Sequence, residues 1–117
     1  MWHSLGKVTI TNSGTPVQAT TNETVPAKRF PAQTIFFQQV QSNTGKLYIM
    51  DRSNGVKGTG VGVLAVIAAP TLSAGVATVL PYAAVTIPTA PTPLNAADFW
   101  IDADNSAEAC QVSVVRA

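Results

Sequence analysis

The sequence predicts an all-β protein, a single-domain β-sandwich or barrel of about eight short antiparallel strands with no substantial helix. Three observations predict it. Apolar and polar residues alternate over short runs rich in Val, Ile, Thr and aromatics. Clusters of Gly, Pro, Asn and Ser separate those runs at roughly 8–12-residue spacing. No segment holds a helical period framed by caps.

Residues 7–11 (KVTIT) open the pattern, with Val8 and Ile10 on one face. Asn12, Ser13, Gly14, Thr15 and Pro16 form a turn signal, and residues 17–21 read as the returning strand. Pro26 and Pro31 bound a loop that holds the basic pair Lys28 and Arg29. Residues 33–41 (QTIFFQQVQ) read as a strand with Ile35 and Phe37 on one face and Phe36, Gln38 and Val40 on the other. Ser42, Asn43, Thr44 and Gly45 then turn the chain into residues 46–51 (KLYIMD), the clearest hairpin of the sequence. Asn54-Gly55 is a further strong turn.

Gly58, Gly60 and Gly62 alternate, which suggests one strand face approached closely by another backbone. Gly-Thr-Gly-Val-Gly lacks the Gly-Lys-Ser/Thr ending of a phosphate loop. Residues 63–69 read as a buried strand, 76–80 and 82–87 as two more, and 88–93 (PTAPTP) as an extended connector. Residues 94–99 can hold one helical turn at most. Residues 98–103 (DFWIDA) and 109–115 (ACQVSVV) predict a second hairpin around 104–108. The faces of the two hairpins place Phe37, Leu47, Ile49, Ile101, Val112 and Val114 in the core.

A chain of 117 residues is long enough for one domain with its own core. Residues 7–117 are read as that domain and residues 1–6 as an N-terminal arm. Only 11% of residues are charged, against roughly 25% in an average protein, while 46% are hydrophobic. That balance opposes disorder. The formal net charge is +1 without a basic run, so nothing in the charge pattern draws nucleic acid.

Between residues 58 and 97 there is no Asp, Glu, Lys or Arg at all. Such a stretch must be covered by the chain's own core, other chains or a membrane. Prolines at 70, 81, 88, 91 and 93 interrupt it too often for the roughly 20 apolar residues of a spanning helix. No membrane association is expected. The first residues lack the apolar core of a signal peptide, so synthesis in a cytoplasm is expected.

The residues give chemistry little to work with. Cys110 is the sole cysteine and His3 the sole histidine, so a disulfide within the chain, a cysteine-based zinc site and a thiol–imidazole pair have no support. Asp98, Asp102, Asp104, Asn105 and Glu108 are the one acidic cluster. A calcium loop starting at Asp102 would need Gly at its sixth position and Glu at its twelfth, and Ala107 and Ser113 stand there. Turn chemistry is the simpler reading. Catalytic, cofactor-binding and metal residues are therefore all expected to be none, and the protein is expected not to be an enzyme. Trp2, Tyr48, Tyr82 and Trp100 are spread over different strands, and packing or contact explains them better than a ligand platform.

Three segments stand together: residues 43–49 (NTGKLYI), residues 54–56 (NGV), and residues 95–104 (NAADFWIDAD). Their order is turn, strand, Gly-rich turn, proline-spaced apolar region, an L-x-x-x-D-[FILV]-[YW]-[IV]-D strand, and a closing hairpin. This resembles small virion structural proteins of tailed bacteriophages, of the kind that decorate or cement a capsid, over roughly residues 34–115. The resemblance implies a non-enzymatic virion protein that binds the outer capsid surface. Its partners would be the major capsid protein or other virion proteins and further copies of itself, as a homo-oligomer. It carries over no catalytic residue. A tail, baseplate or fibre component is the alternative in the same setting, and a small carbohydrate-binding module is the alternative of another class. The expected interface is Trp2, Leu80, Tyr82, Val85 and Ile87.

Overall fold

The computed structural model describes residues 2–22, 31–40, 42–69, 71–73, 76–78, 84–88 and 94–116. The strands are β1 (Trp2–Ile10), β2 (Val17–Gln18), β3 (Pro31–Gln39), β4 (Leu47–Met50), β5 (Val63–Ile67), β6 (Thr71–Ser73), β7 (Val76–Thr78), β8 (Ala84–Pro88), β9 (Leu94–Asn95), β10 (Trp100–Ala103) and β11 (Glu108–Arg116). The helical content of the described residues is one 3-10 turn, Ala96–Asp98, where the Asn95 side chain accepts from the Ala97 N–H.

Two antiparallel sheets make the body. The first has the order β1-β11-β3-β8, with β9 added beside β3. The second has the order β2-β10-β4-β5. They do not close on one another, so the fold is a sandwich rather than a barrel. β6 and β7 pair with each other as a separate two-stranded hairpin.

Alternation decides what lies between the sheets. Ile35 and Phe37 of β3, Cys110, Val112 and Val114 of β11, and Val8 and Ile10 of β1 are fully buried. They meet Leu47 and Ile49 of β4, Ile101 and Ala103 of β10, and Ile67 of β5. The six residues expected in the core are thus all in it. Burying each large side chain contributes roughly 1.5–3 kcal/mol. The rings of Phe37 and Phe99 meet tilted, with centroids 5.9 Å apart.

The topology departs from the expected hairpins. β3 lies in the first sheet and β4 in the second, so the two strands do not form the expected hairpin, and residues 42–46 lead into the second sheet. β10 pairs with β4 and β2, whereas β11 pairs with β1 and β3. Residues 104–107 are therefore a second crossover. β2 pairs with β10 and not with β1. A strand of alternating residues hides one face as well against an opposing sheet as beside a hairpin partner.

Three further expectations change. Trp2–Gly6 is not separate from the domain: β1 runs through it, opposite Val115 to Val112 of β11, with a bulge between Ser4 and Gly6. The alternating glycines do not form a strand face. Gly60 and Gly62 have φ of +77° and +75°, and their loop is closed by a Val56–Val61 bridge. A Cβ on Gly62 would come within 2.9 Å of Arg52 Cγ. Third, β5 is half exposed rather than buried: Ile67 is buried and Ala65 packs on the core, while Leu64 and Val66 lie on the outer face of the sheet.

Candidate functional site

Two regions of the second sheet and its crossovers carry the polar and apolar features that chemistry or contact requires. They are the corner where the two crossovers meet, and the edge formed by β5.

At the corner, every acidic side chain faces a donor. Asn43 is buried and donates through Nδ2 to the Ala109 carbonyl and to Gln39 Oε1, while its Oδ1 accepts from the Ala109 N–H at 3.0 Å. Glu108 accepts from the Thr44 and Gly45 N–H groups. Asp104 accepts from the Lys46 N–H at 3.0 Å and from the Tyr48 hydroxyl at 2.7 Å. Asp102 is buried, and its Oδ1 accepts from the Gly14 and Ala103 N–H groups at 3.0 and 2.8 Å. Gly45 is needed here because a Cβ would lie 2.7 Å from Asp104 Cβ and Asn105 Nδ2. Ala107 takes φ +65° to reverse the chain.

Lys57 reaches over this corner from the glycine-rich loop. Its ammonium donates to Ser13 Oγ and the Ala103 carbonyl, and lies 6.0 Å from the Tyr48 ring centroid. Desolvation works against the Asp104 carboxylate. The hydrogen bonds from Tyr48 and Lys46 and the charges of Lys57 and Lys46 outweigh it and hold its pKa below the ordinary value. The same Asp104 bond, with burial and the nearby charges of Asp104 and Asp102, pushes the Tyr48 hydroxyl up to about 12. Among the described residues no three His, Cys, Asp or Glu side chains are grouped to hold a metal ion. Burial pushes the Cys110 thiol up to about 12, and its strand neighbour is Val8, while His3 stands opposite Val114. A thiol so placed does not supply the thiolate that nucleophilic chemistry requires.

The β5 edge is the opposite kind of surface. Leu64 is 52% exposed and Val66 48%, and Val56 and Val61 of the adjoining loop are 48% and 46% exposed. These are the large exposed hydrophobics of the described residues. β5 pairs with β4 on one side, and among the described residues no strand pairs with its other side. Val63 to Ile67 contains neither a charge nor a proline, the usual protections of an edge strand.

Of the residues expected at the interface, Leu80 and Tyr82 lie outside the described residues. Trp2 sits on β1 opposite Val115. Val85 and Ile87 sit on β8, at the Cα positions opposite Phe37 and Ile35. The side chains of these three lie outside the description. Among the described residues the charge-free stretch exposes Val61, Leu64 and Val66, and of these Leu64 and Val66 were expected inside.

Trp100 and Tyr48 belong to the second sheet and Trp2 to the first, and Tyr82 lies outside the described residues. Compared with protein-family models, curated proteins and solved structures, the chain matches none of them.

Proposed function

We propose that this protein is a non-enzymatic virion structural protein that binds the outer surface of a capsid as a decoration or cement protein. The observation that carries the contact reading is the uncharged, half-exposed edge strand β5 with its neighbours Val56 and Val61. An apolar edge of this kind is a liability unless another chain covers it. The acidic corner argues the same way from the other side. Its carboxylates are spent on backbone N–H groups, which fixes shape and leaves little for catalysis. The assignment to a virion rests on the sequence resemblance and on this agreement between a rigid body and an apolar edge.

The test is to express the protein with assembling particles and ask whether it co-purifies with them at a fixed copy number. Association lost in Val66→Lys and Leu64→Lys, with melting unchanged, supports the reading. Particles that assemble without it and never bind it when it is added back overturn the capsid role. The tail or baseplate alternative predicts binding confined to one particle end.

A further inference from the structure

Two open edges follow one another in this chain. β5 ends the second sheet: it pairs with β4, and among the described residues nothing pairs with its other side. After three residues comes the β6–β7 hairpin, with Thr71 opposite Thr78, Leu72 opposite Ala77 and Ser73 opposite Val76. Among the described residues that hairpin joins neither sheet.

Strand edges invite further strands. Their outer N–H and C=O groups lack a ladder partner, and natural edges are guarded against addition by a charge or a proline. Residues 63–67, 71–73 and 76–78 contain neither. A hairpin of two strands is marginally stable at best in water, and three or more strands are needed for independent stability. The hairpin therefore gains by joining a larger sheet. The second sheet gains a cover for the edge beside Leu64 and Val66, which are half exposed. Pairing of identical chains meets no like-charge repulsion here, because residues 58–97 hold no charged side chain.

We propose that the β5 edge receives the β6–β7 hairpin of a second copy of this chain, extending the second sheet from four strands to six. The proposal rests on the contact reading of β5 given above and names the occupant. The attachment is strand addition, in which main-chain hydrogen bonds hold the incoming segment. Each copy carries one hairpin to give and one edge to receive. The contact closes when two copies exchange hairpins about a two-fold axis, or when several copies form a ring. Direct pairing of β5 with β5 would cover the edges and leave both hairpins isolated.

The experiment is sedimentation of the full chain without particles, using two variants that each remove one half of the contact. Val66→Lys puts a charge beside the edge and keeps the hairpin. Ala77→Pro removes a backbone N–H from β7 and keeps the edge. The wild type is expected to associate, and each variant alone to sediment as a monomer that still melts cooperatively. Leu64→Lys takes the place of Val66→Lys if that chain fails to fold. An equimolar mixture of the edge variant and the hairpin variant is expected to form a one-to-one complex, because one brings an intact hairpin and the other an intact edge. A wild type that stays monomeric up to about 1 mM would overturn the proposal. So would a mixture that stays monomeric, or an Ala77→Pro chain that associates as well as the wild type, which would mean that edge pairs with edge. Particle binding of the same proteins is read separately. A chain that associates through hairpin and edge and never binds particles overturns the capsid role alone. A chain that binds particles as a monomer overturns the hairpin contact alone.

Discussion

The crossover corner and the β5 edge are neighbours in the second sheet, and they treat polarity in opposite ways. At the corner, Asn43, Asp104 and Glu108 each reach a backbone group far away in sequence, so two crossings of the sandwich are held in register. On β5, side chains that could be polar are Leu64 and Val66, and half of each is in water. The corner meets most of its polar needs within one chain, Asp102 Oδ2 being a buried acceptor without a hydrogen-bond partner. The edge does not. On the contact reading proposed above, the corner keeps one shape while a second surface covers the apolar strand at the margin.

The largest effect should come from attacking the core that both regions rest on. Val112 is fully buried opposite Phe37. In Val112→Asp an unpaired carboxylate would be buried at a cost of several kcal/mol, a large share of the ~5–15 kcal/mol that stabilises a typical domain. Expression as insoluble protein, or loss of a cooperative melt, is the expected outcome. A normal melting curve would mean that the face assignment of β11 is wrong.

The corner comes next. Asn43→Ala leaves the Ala109 N–H, its carbonyl and Gln39 without their partner in a buried setting. Such losses cost about 1–3 kcal/mol for each group left unsatisfied. A fall in melting temperature on the order of 10 °C is expected. A fall no larger than that of an exposed substitution such as Asn54→Ala would show that the crossovers do not depend on this side chain.

The edge should respond in the reverse sense. Val66→Lys removes no buried contact of consequence and should change stability by no more than about 0.5 kcal/mol. Its effect should appear in association, as loss of self-association or particle binding measured by sedimentation. If Val66→Lys instead destabilises the isolated protein strongly, the edge is part of the monomer's core and the comparison fails.

Much of the interior was legible because the strand period is two: once Phe37, Ile49 and Val112 are placed inward, their neighbours at even spacing follow. Sheet membership was not legible. Residues 42–45 (SNTG) read equally well as a hairpin turn and as a sandwich crossover, and what distinguishes them is a bond from Asn43 to Ala109, far along the chain. The exposure of β5 was hidden for a related reason. Val-Leu-Ala-Val-Ile looks like a strand buried on both faces, and whether a second layer covers the outer face of Leu64 and Val66 is a property of the topology, not of the strand. The acidic cluster was read as turn chemistry. The structure gives it that role and adds longer-range bonds from Thr44, Gly45, Lys46 and Tyr48.

The smallest effect should be electrostatic and confined to the corner's outer rim. Tyr48 donates to Asp104, and its pKa is raised from 10 to about 12. A raised folded-state pKa means the bond contributes fully below the unfolded value near 10 and is lost as pH rises through about 12. Asp104 is shifted the other way, so its contribution is present above the ordinary carboxylate value and lost as pH falls through its lowered folded value. Between these limits the pair should be insensitive to pH. Ultraviolet titration of tyrosinate in a Tyr82→Phe background isolates Tyr48, since these are the two tyrosines of the chain. Its midpoint should lie well above 10, and Asp104→Ala should bring it back toward that value. In Tyr48→Phe the loss of stability between pH 10 and about 12 should shrink, and the acid limb should shrink with it, because the Tyr48 hydroxyl is the first of the contacts that lower the Asp104 pKa. A Tyr48 midpoint near 10 in the intact protein would mean the hydroxyl does not hold Asp104 in solution. The corner would then rest on its backbone bonds alone, and its contrast with the β5 edge would narrow to Asn43 and Glu108.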